Sequence, residues 1–187
     1  SYDEAKQNIH VDKMLFVPAS DLANPNKGAG ALPYAIDRKE GDISLAQIVD
    51  IAIQHLSKYD HFFMMAEGGK IDYSGHGNDG ATNIHEVMDF DNAIQLAYHF
   101  YEQHPDETLI VVTADRETGG MNLGKEDSFE LQMLQYQKCS SDQLSNRLSA
   151  LHKAKGNKLT WEEVKGLLAE NTGLYAKIEL KEEEDEA

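Results

Sequence analysis

The chain has 187 residues, 41% of them apolar, which is enough for one globular domain with a core and too few for two ordinary ones. Its 33 acidic and 17 basic residues give a formal net charge of −16, which argues against nucleic acid or an anionic membrane as a partner. No run approaches the roughly 18 consecutive apolar residues of a membrane span, and the single Cys139 excludes an internal disulfide or a cysteine-rich zinc site.

The first predicted elements alternate between helix and strand. Residues 45–56 carry apolar side chains at helical spacing behind Ser44, a suitable N-cap. The continuous apolar run "HFFMMA" at 61–66 is typical of a strand covered on both faces, and "TLIVVTA" at 108–114 is a second run of this kind. Between the two runs, a long amphipathic helix is predicted over about 82–103. Its expected buried stripe consists of Val87, Phe90, Ile94, Ala97 and Tyr101.

This alternation predicts an α/β fold, with a mostly parallel sheet covered by helices. Beyond residue 124 the pattern is helical only, and "TWEEVKGLLAENTG" predicts a helix with Thr160 and Glu163 as a capping box and Gly173 near its end. We therefore expect a partial α/β metal-site domain over residues 1–124. The helical C-terminal insert, residues 125–187, would lie on the same domain.

Acidic residues and a histidine follow both predicted strands. Glu67, Asp72 and His76 follow the first strand, and Asp115 comes directly after the second. Ligands of open α/β sheets collect at the carboxyl ends of the strands, and divalent cations prefer carboxylate and imidazole donors. Any one of these residues alone is more often a solvated loop residue. The group of four at one edge of a sheet predicts a metal site.

Three stretches, "FFMMAEGGKIDYSGH", "HEVMDFDNAI" and "TLIVVTADRETGG", resemble the alkaline phosphatase family. The resemblance covers about residues 14–124 and identifies the chain as the central to C-terminal part of such a protein. It implies a phosphomonoesterase that hydrolyses small phosphate monoesters through a serine nucleophile, with two zinc ions and one magnesium ion. It also implies a periplasmic or secreted location and a possible homodimer.

The resemblance assigns a role to each predicted ligand. By motif, Glu67 resembles the magnesium ligand, Asp72 and His76 resemble two ligands of the first zinc, and Asp115 resembles a ligand of the second zinc. Arg116 stands where the family has a zinc-binding histidine, and a guanidinium has no lone pair for a metal. Arg116 would instead form a salt bridge with Asp115 or bind substrate phosphate.

The chain also lacks two other family features: the Asp-Ser-Ala stretch with the nucleophile and the C-terminal His-Thr-Gly stretch. We therefore expect a fragment of a phosphatase that is inactive alone. Two alternatives stay open. One is a non-catalytic relative that binds a metal or an anion, and the other is a related hydrolase of the diesterase or sulfatase type.

Overall fold

The computed structural model describes residues 2–14, 32–120, 131–178 and 180, which form helices joined by segments without regular secondary structure. Within these residues the α-helices are α1 (Tyr2–Gln7), α2 (Leu45–Leu56), α3 (Gly69–His76), α4 (Gly80–Gln103), α5 (Ser141–Lys155) and α6 (Trp161–Thr172). Short 3-10 helices cover Ala35–Asp37, Leu131–Tyr136 and Gly156–Lys158. None of the helices in the described ranges combines the length and apolarity that crossing a membrane requires.

The predicted parallel sheet is wrong for the part of the chain that the structure describes. The two apolar runs have no regular secondary structure there, and the β-pairing of the described residues is an isolated parallel bridge between Leu174 and Ile178. Phe63, Met65 and Leu109 are 88%, 80% and 87% exposed. A strand is stabilised by hydrogen-bonded neighbours and by a covering layer. Among the described residues neither run has a paired strand, and these three side chains remain uncovered. An apolar run predicts a strand only where such partners exist.

Helix α4 is the centre of the packing, in contact with α2, α3 and the 3-10 helix Ala35–Asp37. It begins two residues earlier than predicted because Asp79 is its N-cap and accepts the N–H of Thr82. The predicted apolar stripe is wrong at Val87, which is 48% exposed. Glu86 and Asp89 are buried on this helix instead.

Both buried acids of α4 have partners in the segment before α2. Arg38 donates two hydrogen bonds to Asp89, of 2.8 and 2.7 Å, and the N–H of Ala35 donates to Glu86 at 2.5 Å. Burial raises the pKa of Glu86, and the neighbouring carboxylate of Asp89 adds to the effect. These polar contacts fix residues 35–38 on α4 and explain how two charged side chains outside the predicted apolar stripe can be buried.

The capping predictions are confirmed. Ser44 and Gln47 form a capping box at α2, Thr160 and Glu163 form another at α6, and Gly173 ends α6 with a positive φ of 79°. The boundary predicted at residue 124 lies outside the described residues, so the division into domain and insert stays a prediction.

Two carboxylates attach the C-terminal helices to the rest of the molecule. The N–H and the hydroxyl of Ser140 donate to Asp37, and the N–H of Ser141 donates to Asp79 at 2.7 Å. Negative charge at a helix N-terminus is favourable because the first N–H groups of a helix lack partners within it. The start of α5 is therefore held against both the 3-10 helix Ala35–Asp37 and the N-terminus of α4.

Candidate metal centre

Helix α3 places Asp72 and His76 side by side. They are four residues apart and therefore lie on one face of the helix. The Oδ2 atom of Asp72 is 3.5 Å from Nε2 of His76, and the two side chains are 36% and 64% exposed. A carboxylate and an imidazole thus adjoin at a surface that a solvated ion can reach.

A loop after the second apolar run supplies two further side chains. The hydroxyl of Thr118 donates to Oδ1 of Asp72 at 2.8 Å, and Nη2 of Arg116 donates to the same oxygen at 3.3 Å. The hydrogen bond from Thr118 is the main cause that lowers the pKa of Asp72, with the positive charge of Arg116 contributing. Asp72 is therefore ionised at neutral pH, and Arg116 pairs with Asp72.

The loop reaches α3 through an unusual backbone. Thr118, Gly119 and Gly120 all have positive φ angles, of 29°, 90° and 70°. Glycine adopts such angles freely, whereas threonine rarely does. A Cβ atom added to Gly75 of α3 would lie 2.6 Å from the carbonyl oxygen of Thr118, so only glycine fits at that point of the helix. This contact brings the side chain of Thr118 next to Asp72.

Two of the four predicted ligands are together, and the other two lie in segments without regular secondary structure. Glu67 is exposed in the segment before α3, and Asp115 is exposed at the end of the second apolar run. Among the described residues, no three or more His, Cys, Asp or Glu side chains are grouped closely enough to hold a metal. The four-residue site therefore stays a prediction, and the structure contributes the Asp72–His76 pair.

The donor pair fits a zinc ion. Tetrahedral zinc with bonds of about 2.0–2.1 Å holds its ligands about 3.4 Å from one another, and the two donor atoms here are 3.5 Å apart. Arg116 does not fit as a ligand because all its nitrogens carry protons. Sequence reasoning missed Thr118, although its position before the glycine pair of "ETGG" indicates a tight turn.

Comparison with known proteins gives consistent results. The sequence profile of the alkaline phosphatase family matches residues 28–186. The chain is 41% identical over 138 residues to the repressible alkaline phosphatase of Saccharomyces cerevisiae, and the aligned region covers 64% of this chain. It is 42% identical over 96 residues, 51% of the chain, to alkaline phosphatase 3 of Bacillus subtilis.

A solved structure shows a similar fold. The crystal structure of a cold-active alkaline phosphatase from a psychrophilic Shewanella matches with a TM-score of 0.62 and 28% sequence identity. The match covers 75% of this chain and 33% of the Shewanella chain. The present chain spans 24% of the length of the yeast protein and 21% of that of the Bacillus protein.

Proposed function

Because this chain belongs to the alkaline phosphatase family, we propose that it forms the metal-binding part of a metal-dependent phosphomonoesterase. The serine nucleophile would lie in a segment of a longer protein, called here the full-length protein. The observation that carries the proposal is the adjacent pair Asp72 and His76, within the residues that match the family. Carboxylate and imidazole donors at this separation suit zinc.

In this proposal each site residue has a distinct task. Asp72 and His76 would bind one zinc, Asp115 a second zinc, and Glu67 a magnesium ion. When bound, such ions supply positive charge that polarises a phosphoryl oxygen and lowers the pKa of water. Catalytic zinc sites use three protein ligands, so a further ligand beside Asp72 and His76 would come from outside the described residues.

The charge of the chain supports a need for bound cations. A formal net charge of −16 repels a small phosphate monoester at long range. Cations at Asp72 and His76 would reverse the local field where the phosphate arrives. Arg116 adds a positive side chain next to Asp72 that is 62% exposed.

The location and the assembly state are proposed from the family alone. We propose a periplasmic or secreted protein that forms a homodimer. Cell fractionation tests the location, and light scattering on the purified full-length protein tests the dimer. A cytoplasmic monomer would contradict both points.

An activity assay tests the function. The full-length protein, its D72N variant and the 187-residue chain are compared with a chromogenic phosphate monoester in excess zinc and magnesium. We expect turnover by the full-length protein, none by the chain, and a loss of about 100-fold or more in D72N because a metal ligand is removed. As a control, D91N on the exposed face of α4 should keep full activity. Turnover by the chain near that of the full-length protein would refute a nucleophile outside it.

A second candidate is a non-catalytic relative that binds a metal or an anion, and the contact of Arg116 with Asp72 at 3.3 Å favours it. A positive side chain on a ligand carboxylate reduces the charge that the carboxylate offers a cation. The metal content of the full-length protein discriminates between the candidates. Two or three ions per chain favour an enzyme, whereas one or none favours a binding role.

A further inference from the structure

The two carboxylate oxygens of Asp72 have different surroundings. Oδ1 accepts hydrogen bonds from Thr118 at 2.8 Å and from Arg116 at 3.3 Å. Oδ2 faces the imidazole of His76 at 3.5 Å, a separation at which it is not hydrogen-bonded to the ring. One oxygen is thus occupied by donors, while the other keeps its lone pairs available beside a second metal donor.

The loop adopts a costly backbone conformation at the residue that makes the shorter contact. Thr118 has a φ of 29°, which is an outlier for a β-branched residue. Such strain persists only where the surrounding structure fixes it, and it concentrates at functional sites. The hydroxyl is half-buried and competes with water, so the hydrogen bond by itself gives a weak reason for the strain.

We infer that Thr118 is a positioning residue for Asp72, which orients the carboxylate so that Oδ2 faces His76 and binds a divalent cation. This inference rests on the proposed function. A free aspartate side chain rotates about its terminal torsion and loses that freedom when an ion binds. A hydrogen bond to Oδ1 restricts this rotation before the ion binds, so less conformational entropy is lost on binding. Outer-shell partners generally orient metal ligands in this way.

Zinc affinity of the full-length protein, measured by calorimetry, tests the inference. T118V removes the hydroxyl and keeps the β-branched shape at the same φ, so it should bind zinc about 10- to 100-fold more weakly. T118S restores the hydroxyl and should bind zinc almost as tightly as the wild type. T113V is the matched control, because within the described part of the chain the hydroxyl of Thr113 donates to the adjacent carbonyl of Ala114, at 3.3 Å.

A merely structural role would give a different pattern. T118V would then lower the midpoint of thermal unfolding without zinc and leave the zinc affinity unchanged, which overturns the inference. D72N separates this result from failure of the proposed function. If D72N loses zinc while T118V binds it like the wild type, the site stands and the role of Thr118 is wrong. If D72N also binds zinc like the wild type, Asp72 is not a ligand, and both the proposed metal site and the role of Thr118 are wrong.

Discussion

Gly119 and Gly75 are in direct backbone contact, and a Cβ atom added to Gly119 would lie 2.2 Å from the carbonyl oxygen of Gly75. Gly75 lies on α3 between Asp72 and His76, so the contact joins the loop to the helix that carries the candidate ligands. Because the backbones touch, neither side chains nor solvent separate the two segments. The position of Thr118 next to Asp72 depends on this contact.

Substitution of Gly119 should therefore lower the free energy of unfolding by more than its positive φ angle alone would cause. G119A must adopt a φ of 90° and also displace the backbone of Gly75, so we expect a loss of about 3 kcal/mol in the free energy of unfolding. Gly41 is the matched control, since its φ is 91° and no heavy atom of the described residues outside its own neighbourhood lies within 4 Å of an added Cβ. G41A should cost about 1 kcal/mol. Urea unfolding of both variants measures the difference, and equal costs would contradict the contact.

The ion pair between Arg38 and Asp89 should be important for stability. It is bidentate and mostly buried, with side chains 20% and 10% exposed. D89N leaves the guanidinium without its charge partner, and we expect a loss of about 3 kcal/mol. The exposed pair of His99 and Glu102 provides the comparison, where E102Q should change stability by less than about 1 kcal/mol. A similar small effect in D89N would mean that the buried pair contributes little.

The local features of the fold were predictable from the sequence, whereas its tertiary arrangement was not. Ser44 and Thr160 cap their helices as predicted because a cap depends on residues within one turn. The prediction of a parallel sheet is wrong because strand pairing depends on partners far away in the sequence. Glu86 and Asp89 lie outside the predicted buried stripe of α4, and their buried contacts with residues 35–38 appear only in the structure.

The stability contributed by Glu86 should depend on pH in a defined direction. Burial raises its pKa above the ordinary value of 4.5 in the folded state. The folded protein therefore binds this proton more tightly than the unfolded chain does. The resulting stabilisation is fully present below pH 4.5 and is lost as pH rises through the pKa of the folded state.

The E86Q variant isolates that effect, because its amide oxygen can still accept the N–H of Ala35. From pH 4 to pH 8, the stability of E86Q relative to the wild type should rise. E86A lacks the same titrating group, so its stability relative to the wild type should also rise with pH, but it should lie about 2 kcal/mol below E86Q at every pH because the N–H of Ala35 is left without its acceptor. Chemical unfolding across the pH range measures both variants, and parallel curves for E86Q and the wild type would contradict the raised pKa.

Asp79 should be the residue that couples α4 to the C-terminal helices. It accepts hydrogen bonds from Thr82 at 3.2 Å, from Gln137 at 2.7 Å and from Ser141 at 2.7 Å. D79A removes a helix cap and takes away the acceptor of the Thr82 and Ser141 N–H groups, whereas Gln137 keeps its hydrogen bond to the carbonyl of Cys139 at 2.9 Å, so we expect a loss of about 3 kcal/mol. Limited proteolysis should then cleave first in residues 131–172. The control D91A, on the exposed side of α4, should unfold and cleave like the wild type.

The candidate site was predictable only in part. Asp72 and His76 are predicted as ligands because they follow an apolar run expected to be a strand, whereas the structure places them side by side on the helix α3, which the sequence analysis does not predict. Thr118 was missed because its contact with Asp72 spans 46 residues and needs three consecutive positive φ angles. Arg116 was expected to form a salt bridge with Asp115 or to bind phosphate, and in the structure it pairs with Asp72 instead.

The central claim is that Asp72 and His76 together bind a divalent cation. Anomalous diffraction at the zinc edge, from crystals of the full-length protein grown with zinc, tests it most directly. The account predicts a peak about 2.0–2.2 Å from a carboxylate oxygen of Asp72 and from a ring nitrogen of His76. Zinc peaks that all lie away from both side chains, in crystals of an active protein, would contradict it.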